Sequence, residues 1–177
     1  MARFPGSLSA GSSRCGLHPM SGSGELPLAP LARTVRLEYL HRFEFAAEAV
    51  YGLIADFGGT RLTRGYVARV ETEGAGVGMR RTFHLEPRVG RGYVIEELTL
   101  LDPVRRAVGF RMVDNGELPW SGYEGYAQLT PRGPSRSILY AWVSFVVDEP
   151  DAERFAVISR QNYALFFANI ENVLREG

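Results

Sequence analysis

A block of strand-like segments between residues 66 and 147, followed by a single long helix, constrains the fold most strongly. The segments alternate apolar and polar side chains, and turn-forming runs such as Gly74-Ala75-Gly76 and Asp114-Asn115-Gly116 separate them. Strands joined by such short turns pair as an antiparallel meander. The predicted strands of this block are 66–72, 78–86, 93–102, 104–113, 123–130 and 137–147.

The segment before this block predicts one more strand and two short helices. An alternation beginning at Val35 predicts a strand over 34–45. Apolar residues at helical spacing then predict a helix over 46–57, and a second helical turn is expected before Gly65.

The end of the chain predicts a helix as long as the sheet. Glu149, Pro150 and Asp151 are typical of a first helical turn, and an apolar stripe runs from Phe155 to Val173. At about 1.5 Å per residue the helix spans nearly 40 Å. The pattern predicts an α+β fold, in which a curved seven-stranded antiparallel sheet wraps the C-terminal helix. A sheet too concave to close on its helix leaves a ligand cavity between them.

The first 32 residues differ in composition from the rest. They are rich in Gly, Ser and Pro and show no sustained periodicity, so we expect a disordered tail over 1–32 and a single domain over 33–177. Met20 is an alternative start of the chain. Because the tail has no continuous apolar stretch of the kind found in signal peptides, a cytoplasmic location is expected.

Composition excludes several classes of function. All 20 basic residues of this 177-residue chain are arginine, so it has no lysine for a Schiff base, a pyridoxal phosphate anchor or a P-loop. A net charge near zero argues against nucleic-acid binding. One cysteine and three scattered histidines predict no metal site, and no apolar run is long enough to span a membrane. No cofactor is expected.

Two neighbouring strands each place one charged residue on an apolar face. Arg81 shares its face with Phe83, and Glu96 shares its face with Leu98. A hairpin near residues 88–91 would set Phe83 opposite Glu96, with Arg81 on the diagonal. One interpretation is that Arg81 binds a ligand oxygen while Glu96 acts as acid, base or hydrogen-bond acceptor. The other is a buried ion pair that satisfies only itself.

Aromatic and hydroxyl groups complete the predicted site. Tyr123 and Tyr163 are the phenols best placed to donate to a developing enolate, and Ser159 lies one helical turn before Tyr163. Trp120 is predicted in a loop, either as a gate to the cavity or as a surface plug, and the face of Trp142 stays open because both faces of its strand are apolar. The predicted catalytic residues are Arg81, Glu96, Tyr123 and Tyr163; the predicted ligand contacts are Phe83, Leu85, Leu98, Phe110, Met112, Trp120, Trp142 and Ser159.

Several segments carry a resemblance to a known superfamily: Ala46–Phe57 with its closing Asp56-Phe57, the run Gly76–Arg81, the strand pair from Glu96 to Phe110, Trp142, and the final helix with Tyr163 and Asn169. They resemble the START/Bet v 1-like (SRPBCC) superfamily with its helix-grip fold, and within it the bacterial polyketide cyclase/dehydrase-like proteins. The resemblance covers roughly residues 34 to 174, and the second of these motifs is also similar to plant abscisic-acid receptors.

The resemblance implies a cavity enzyme that promotes aldol-type cyclisation and dehydration of a polyketide-like substrate without a covalent intermediate. Arg81 would stabilise the enolate oxygen and Glu96 would move the proton. The alternative is a non-catalytic carrier of a hydrophobic small molecule. Delivery of the substrate by an acyl carrier protein and a monomeric or homodimeric state are left open.

Overall fold

The computed structural model describes residues 31–87 and 92–177, which form a seven-stranded antiparallel sheet curved around a long C-terminal helix. The helix-grip architecture predicted from the sequence is confirmed. The strands are β1 (Ala32–Phe43), β2 (Val67–Glu73), β3 (Arg80–Leu85), β4 (Tyr93–Asp102), β5 (Ala107–Asp114), β6 (Trp120–Pro131) and β7 (Ser137–Asp148). The helices are α1 (Ala47–Ala55) and α2 (Ala152–Glu176), with 3₁₀ turns at Arg61–Thr63 and Glu149–Asp151.

The strand order across the sheet is β1-β7-β6-β5-β4-β3-β2. Strands β2 to β7 follow one another as a meander, and β1 joins the far side by pairing with β7, where Val35 lies opposite Phe145. The segment from α1 to the 3₁₀ turn at 61–63 therefore connects the two edges of the sheet. The sheet is open between those edges. The helices α1 and α2 pack on its concave face.

The buried side chains form three clusters on this concave face. One includes Phe43, Val50 and Ile170, and joins α1 and the second half of α2 to the sheet. The others contain Phe155, from the first half of α2, and Phe83, near the β2 edge. The cavity described below takes wall residues from all three clusters.

Asn169 of α2 ties the 3₁₀ turn at 61–63 to the domain. It is buried, and its amide donates hydrogen bonds to the carbonyl oxygens of Leu62 and Arg64, each at 3.0 Å. The turn crosses the open side of the sheet, so these two bonds hold one wall of the cavity.

Several element boundaries differ from those predicted. The predicted strand 104–113 begins only at Ala107, because the Asp102 carboxylate accepts hydrogen bonds from the backbone amides of Val104 and Arg105 and closes a turn. β1 begins at Ala32, the last residue of the predicted tail. The rest of that tail, apart from Leu31, and the predicted hairpin at 88–91 lie outside the described residues.

The described residues contain no helix with the length and apolarity needed to cross a bilayer. Within the same ranges, no group of three or more His, Cys, Asp and Glu side chains is arranged to hold a metal ion.

Candidate functional site

A cavity of about 370 Å³ lies between the concave face of the sheet and α2. This volume falls in the range of about 300–1,000 Å³ that is typical of small-molecule sites, and most of the wall is apolar. Most of the residues predicted from the sequence line it. These are Arg81, Phe83, Leu85, Glu96, Phe110, Met112, Trp120, Tyr123, Ser159 and Tyr163.

Arg81 and Glu96 form a buried ion pair in the cavity wall. They lie directly opposite each other on β3 and β4. The Arg81 Nε donates to Glu96 Oε2 at 2.8 Å, and Nη2 lies 2.6 Å from the same oxygen. Glu96 is only 6% exposed. The predicted register is wrong by two residues, because Phe83 pairs with Val94 instead of Glu96.

Three further contacts fix the guanidinium of Arg81. Its Nη1 donates to the carbonyl oxygen of Phe57 at 2.9 Å. The ring centres of Phe57 and Phe83 lie 3.8 Å and 4.3 Å from its central carbon, within the range of cation–π attraction. Phe57 follows the end of α1, so the guanidinium is held between this end of the helix and the sheet.

The ion pair leaves hydrogen-bonding capacity unused. Both contacts from Arg81 go to Glu96 Oε2, and Glu96 Oε1 has no hydrogen-bond partner among the described residues. A guanidinium carries five N–H hydrogens, so Arg81 also keeps donors beyond those that bind Glu96 and Phe57. The pair can therefore contact a ligand without being separated.

Tyr66 is a third polar group beside this pair, and sequence reasoning missed it. Its side chain lines the cavity, and its hydroxyl donates a long hydrogen bond of 3.4 Å to the carbonyl oxygen of Leu62. Burial raises the pKa of the Tyr66 phenol; the Arg81 charge opposes this rise and the Glu96 charge adds to it. The alternation that assigned the other strands is broken here by a register shift between Val67 and Arg69.

A group of hydroxyls lies on the side of the cavity formed by β6 and α2. The Tyr39 hydroxyl and Ser159 Oγ are 3.1 Å apart, and the Tyr163 ring stacks on Tyr39 with centres 4.1 Å apart and planes 8° from parallel. Ser159, Tyr123 and Tyr163 line the cavity, and Tyr39 supports them from β1. We call these four residues the hydroxyl cluster.

The phenols of this cluster stay protonated over the physiological pH range. Burial is the main cause that raises the pKa of Tyr123, with a smaller rise from the Glu96 charge and an opposing hydrogen bond from Ser159. Burial likewise raises the pKa of Tyr163 well above its ordinary value, and Tyr123 and Tyr39 add to that effect. Protonated phenols can donate hydrogen bonds to an oxygen atom of a ligand.

Trp120 is a wall residue and the first residue of β6, so its predicted place in a loop is wrong. Its ring packs edge to face on Phe155, with centres 5.0 Å apart. The side-chain amide of Asn115 donates to the carbonyl oxygens of Leu118 and Trp120, each at 2.7 Å, and so orders the turn that precedes Trp120. The indole Nε1 of Trp120 is buried without a hydrogen-bond partner in the described part of the chain.

Two of the predicted ligand contacts do not line the cavity. Leu98 is 2% exposed and lies in the core cluster beneath α1. Trp142 lies on the convex face of the sheet, where its ring stacks on Tyr126 and the Arg36 guanidinium lies 4.3 Å from its centre. That face is covered by aromatic and arginine side chains, which explains why both faces of β7 look apolar in the sequence.

Phe110 lines the cavity close to both of its polar regions, the Arg81–Glu96 pair and the hydroxyl cluster. Its ring centre lies 5.9 Å from the Arg81 guanidinium carbon and 6.2 Å from the Tyr123 ring centre. The ring rests over Gly125 of β6, where an added Cβ would come within 2.6 Å of it. Phe110 can pack this close to β6 only because Gly125 has no side chain.

The sequence from residue 34 to residue 170 matches the family described as polyketide cyclase / dehydrase and lipid transport. The chain belongs to this family. The matched segment starts in β1 and ends in α2, so it covers nearly all of the sheet, the helix α1, most of α2 and every cavity residue named above. None of the curated proteins matches the sequence.

Solved structures of two enzymes share the fold of this family member. Norcoclaurine synthase from Thalictrum flavum, in complex with dopamine and hydroxybenzaldehyde, superposes with a TM-score of 0.69 at 17% identity over 82% of this chain and 88% of its own. The Zhui aromatase/cyclase from Streptomyces sp. R1128 superposes with a TM-score of 0.69 at 15% identity, over 79% of this chain and 93% of its own. At these identities the similarity concerns the fold.

Proposed function

We propose that the protein is a cavity enzyme that promotes the aldol-type cyclisation and dehydration of a hydrophobic, polyketide-like substrate without forming a covalent bond to it. The observation that carries the proposal is the buried Arg81–Glu96 pair in the wall of an aromatic cavity, in which Glu96 Oε1 has no partner among the described residues. A buried ion pair with an unused acceptor is suited to moving a proton within an apolar site.

The chemistry follows from the groups that face the cavity. Glu96 Oε1 accepts a proton from a carbon between two substrate carbonyls, and the free N–H groups of Arg81 stabilise the resulting enolate oxygen. The enolate carbon attacks a second carbonyl of the same chain, and Tyr123 or Tyr163 donates a hydrogen bond to the oxygen that becomes negative. Glu96 returns this proton to the alkoxide oxygen, which gives the aldol, and then removes the second hydrogen from the same substrate carbon. A carbon–carbon double bond forms as the C–O bond breaks, and the hydroxide takes the proton from Glu96 and leaves as water.

The shape of the cavity supplies the other contribution. Aromatic walls that hold a flexible chain in a folded conformation bring its reacting carbons together and remove part of the entropic barrier. Family membership supports this role, and so does the likeness in fold to an aromatase/cyclase and to a synthase that holds two aromatic molecules.

The test compares matched variants on the two faces of the same strands. The substrate probe is 1-phenylhexane-1,3,5-trione, a short poly-β-ketone, and loss of one water is followed by mass spectrometry. We expect Glu96→Gln and Arg81→Lys to lower turnover by about 10²–10⁴-fold, the usual contribution of a positioned acid or base. Glu97→Gln and Arg80→Lys, which alter the adjacent convex pair, should keep full turnover.

Circular dichroism would first verify that each variant is folded. Wild-type turnover in Glu96→Gln would contradict the assignment of Glu96 as the proton acceptor. A wild-type protein that binds the trione and never dehydrates it would contradict the enzymatic proposal as a whole.

The second candidate function is that of a carrier for a hydrophobic small molecule. It is favoured by one observation: Arg81 is already bound by Glu96 and Phe57, within a mostly apolar wall. A carrier retains its ligand unchanged, so native mass spectrometry of the purified protein would find a stoichiometric ligand of constant mass over hours. Release of a dehydrated product would contradict the carrier.

A further inference from the structure

We propose that two copies of this chain associate through the outer edge of β1, so that their sheets join into one continuous antiparallel sheet about a two-fold axis at Leu37. The partner that fits this edge is therefore a second copy of the chain. The interface lies outside the cavity, so it does not depend on the reaction proposed above.

The two edges of the sheet differ in how well they are protected against pairing with another strand. At one edge, β2 has seven residues, and a bulge between Val67 and Arg69 interrupts its register. Short strands and bulges are features by which natural sheets prevent pairing at an edge. At the other edge, β1 has twelve residues in unbroken register with β7, and no strand of the described chain pairs with its outer side. The N–H and C=O groups on that side can therefore pair with another strand.

The charges of β1 are complementary to a second copy of the same strand. Arg36 and Glu38 lie on the convex face, one on each side of Leu37, and each is about half exposed. In an antiparallel pair centred on Leu37, Arg36 faces the partner's Glu38, and Glu38 faces the partner's Arg36. Opposite charges directly across a strand pair stabilise it, and like charges destabilise it.

The same charges select the register of the pair. Moving its centre by one residue in either direction would place Arg36 or Glu38 opposite its own copy, which is a like-charge contact. The register centred on Leu37 avoids both contacts and forms two ion pairs, one on each side of the axis.

The helix beside this edge leaves room for the second copy. A groove runs between β1 and α2, and its helical wall consists of Arg160, Ala164 and Phe167. The wall from the strand spans residues 36–39, so the groove lies at the same point of β1 as the axis that the charges select. Ala164 is exposed and small, which lets the α2 helices of the two copies lie near each other above the paired strands.

The pairing also covers an exposed apolar side chain. Leu40 shares the convex face with Arg36 and is 71% exposed. It lies opposite Tyr140 of β7 on its inner side, and in the register centred on Leu37 it lies opposite the partner's Thr34 on its outer side. Removing apolar surface from water is the main favourable contribution to most protein association, and the two-fold axis covers Leu40 in both copies.

Sedimentation velocity of the full-length chain over a series of concentrations tests the association. We expect the wild type to form a dimer with twice the 19.6 kDa mass of one chain. Arg36→Glu and Glu38→Arg each replace two opposite-charge pairs by two like-charge pairs, so each should raise the Kd of dimerisation by about 10–100-fold. Circular dichroism would verify that these surface variants are folded.

Two recoveries test the register. The double variant Arg36→Glu with Glu38→Arg restores opposite charges across the axis and should dimerise like the wild type. An equimolar mixture of the two single variants should form a heterodimer, because one chain then carries two acids and the other two bases at the facing positions. Arg69→Glu is the matched control and should leave the Kd unchanged, because Arg69 and Glu71 form the same kind of pair on β2.

A wild type that is monomeric at every concentration would overturn the proposal, whether residues 1–30 or only solvent cover the edge of β1. A dimer that Arg36→Glu leaves intact, or that Arg69→Glu weakens equally, would place the interface elsewhere and overturn it as well. Single variants that neither the double variant nor the mixture rescues would contradict the pairing at Leu37. Turnover of the trione is measured separately, so none of these results decides the proposed function.

Discussion

The strands β3 and β4 carry the same pair of charged residues on both faces of the sheet. Arg81 lies opposite Glu96 on the concave face, and Arg80 lies opposite Glu97 on the convex face. The side chain of Arg81 is 16% exposed and that of Arg80 is 53% exposed. Since the residue types and the pairing geometry are alike, the difference between a candidate site and an ordinary surface pair lies in what surrounds each of them.

The two pairs also differ in how their carboxylates are used. Glu97 is bound on both oxygens, by Arg80 at 3.2 Å and by Arg111 at 2.6 Å. Glu96 is bound on one oxygen, and aromatic rings cover its partner. The side chains of Arg80 and Arg111 are more than half exposed, so solvent screens their charges and weakens their coupling to Glu97. The inner pair lies in an apolar wall, so neither member is stable there without the other.

The largest effect is expected from breaking the inner pair. Arg81→Met leaves Glu96 as a buried charge without a partner, which typically costs about 3–5 kcal/mol in the free energy of unfolding. Arg80→Met leaves Glu97 bound to Arg111, so its unfolding midpoint should stay close to that of the wild type. Urea denaturation followed by circular dichroism measures both.

A double variant sharpens this comparison. Arg81→Met with Glu96→Leu removes both charges and should recover most of the lost stability, because apolar residues of similar volume commonly replace a buried ion pair without loss. Equal midpoints for Arg81→Met and Arg80→Met would show that the inner pair is as well screened as the outer one.

A smaller effect is expected from a polar contact on the concave side that has a purely structural role. Asn169→Ala removes two hydrogen bonds to this segment and leaves the Arg64 carbonyl oxygen without a side-chain partner among the described residues, whereas Leu62 keeps the long bond from Tyr66, for an expected loss of about 2 kcal/mol. Asn162→Ala is the control, because this cavity-lining amide on the same helix has no hydrogen-bond partner in the described residues. Thermal unfolding should separate them, and equal losses would contradict the structural role.

The smallest effect is expected from the outer pair and depends on pH. Hydrogen bonds from Arg111, then Arg80, lower the pKa of Glu97 below its ordinary value of 4.5. A lowered pKa in the folded state stabilises the protein above the unfolded pKa, and this stabilisation is lost as the pH falls through the folded pKa.

The measurement is the difference in unfolding midpoint between the wild type and Glu97→Gln across an acid titration. We expect a small difference at neutral pH that shrinks below about pH 4.5, and that is already reduced in 1 M salt at neutral pH. A difference that grows as the pH falls would contradict this interpretation.

Sequence periodicity predicted the cavity faces of β3 and β4 because each has one apolar and one polar face. The same alternation placed Arg81 and Glu96 together on the inner face. It could not supply the register between them, which depends on the connection through residues 88–91. Alternation also could not distinguish cavity residues from core residues on the same face. Leu98 shares the inner face with Glu96, but it lies farther along β4 and packs in the core under α1.

The remaining cavity residues are brought in by contacts between distant parts of the chain. Phe57 and Tyr66 reach Arg81 only because the segment between α1 and β2 folds across the open side of the sheet. Tyr39 reaches Ser159 across 120 positions of sequence. Such contacts follow from how α2 packs on the sheet, so no local pattern in the sequence marks them.

The glycine at position 125 has a consequence for how this cavity can change over evolution. Phe110 packs directly over Gly125, and a side chain at residue 125 would displace that ring and so change the shape of the cavity that it lines. Such a change would leave Arg81, Glu96 and the hydroxyl cluster in place. In the proposed function, residue 125 would therefore affect the length of the accepted molecule and Arg81 and Glu96 the chemistry performed on it, so that each could diverge without the other.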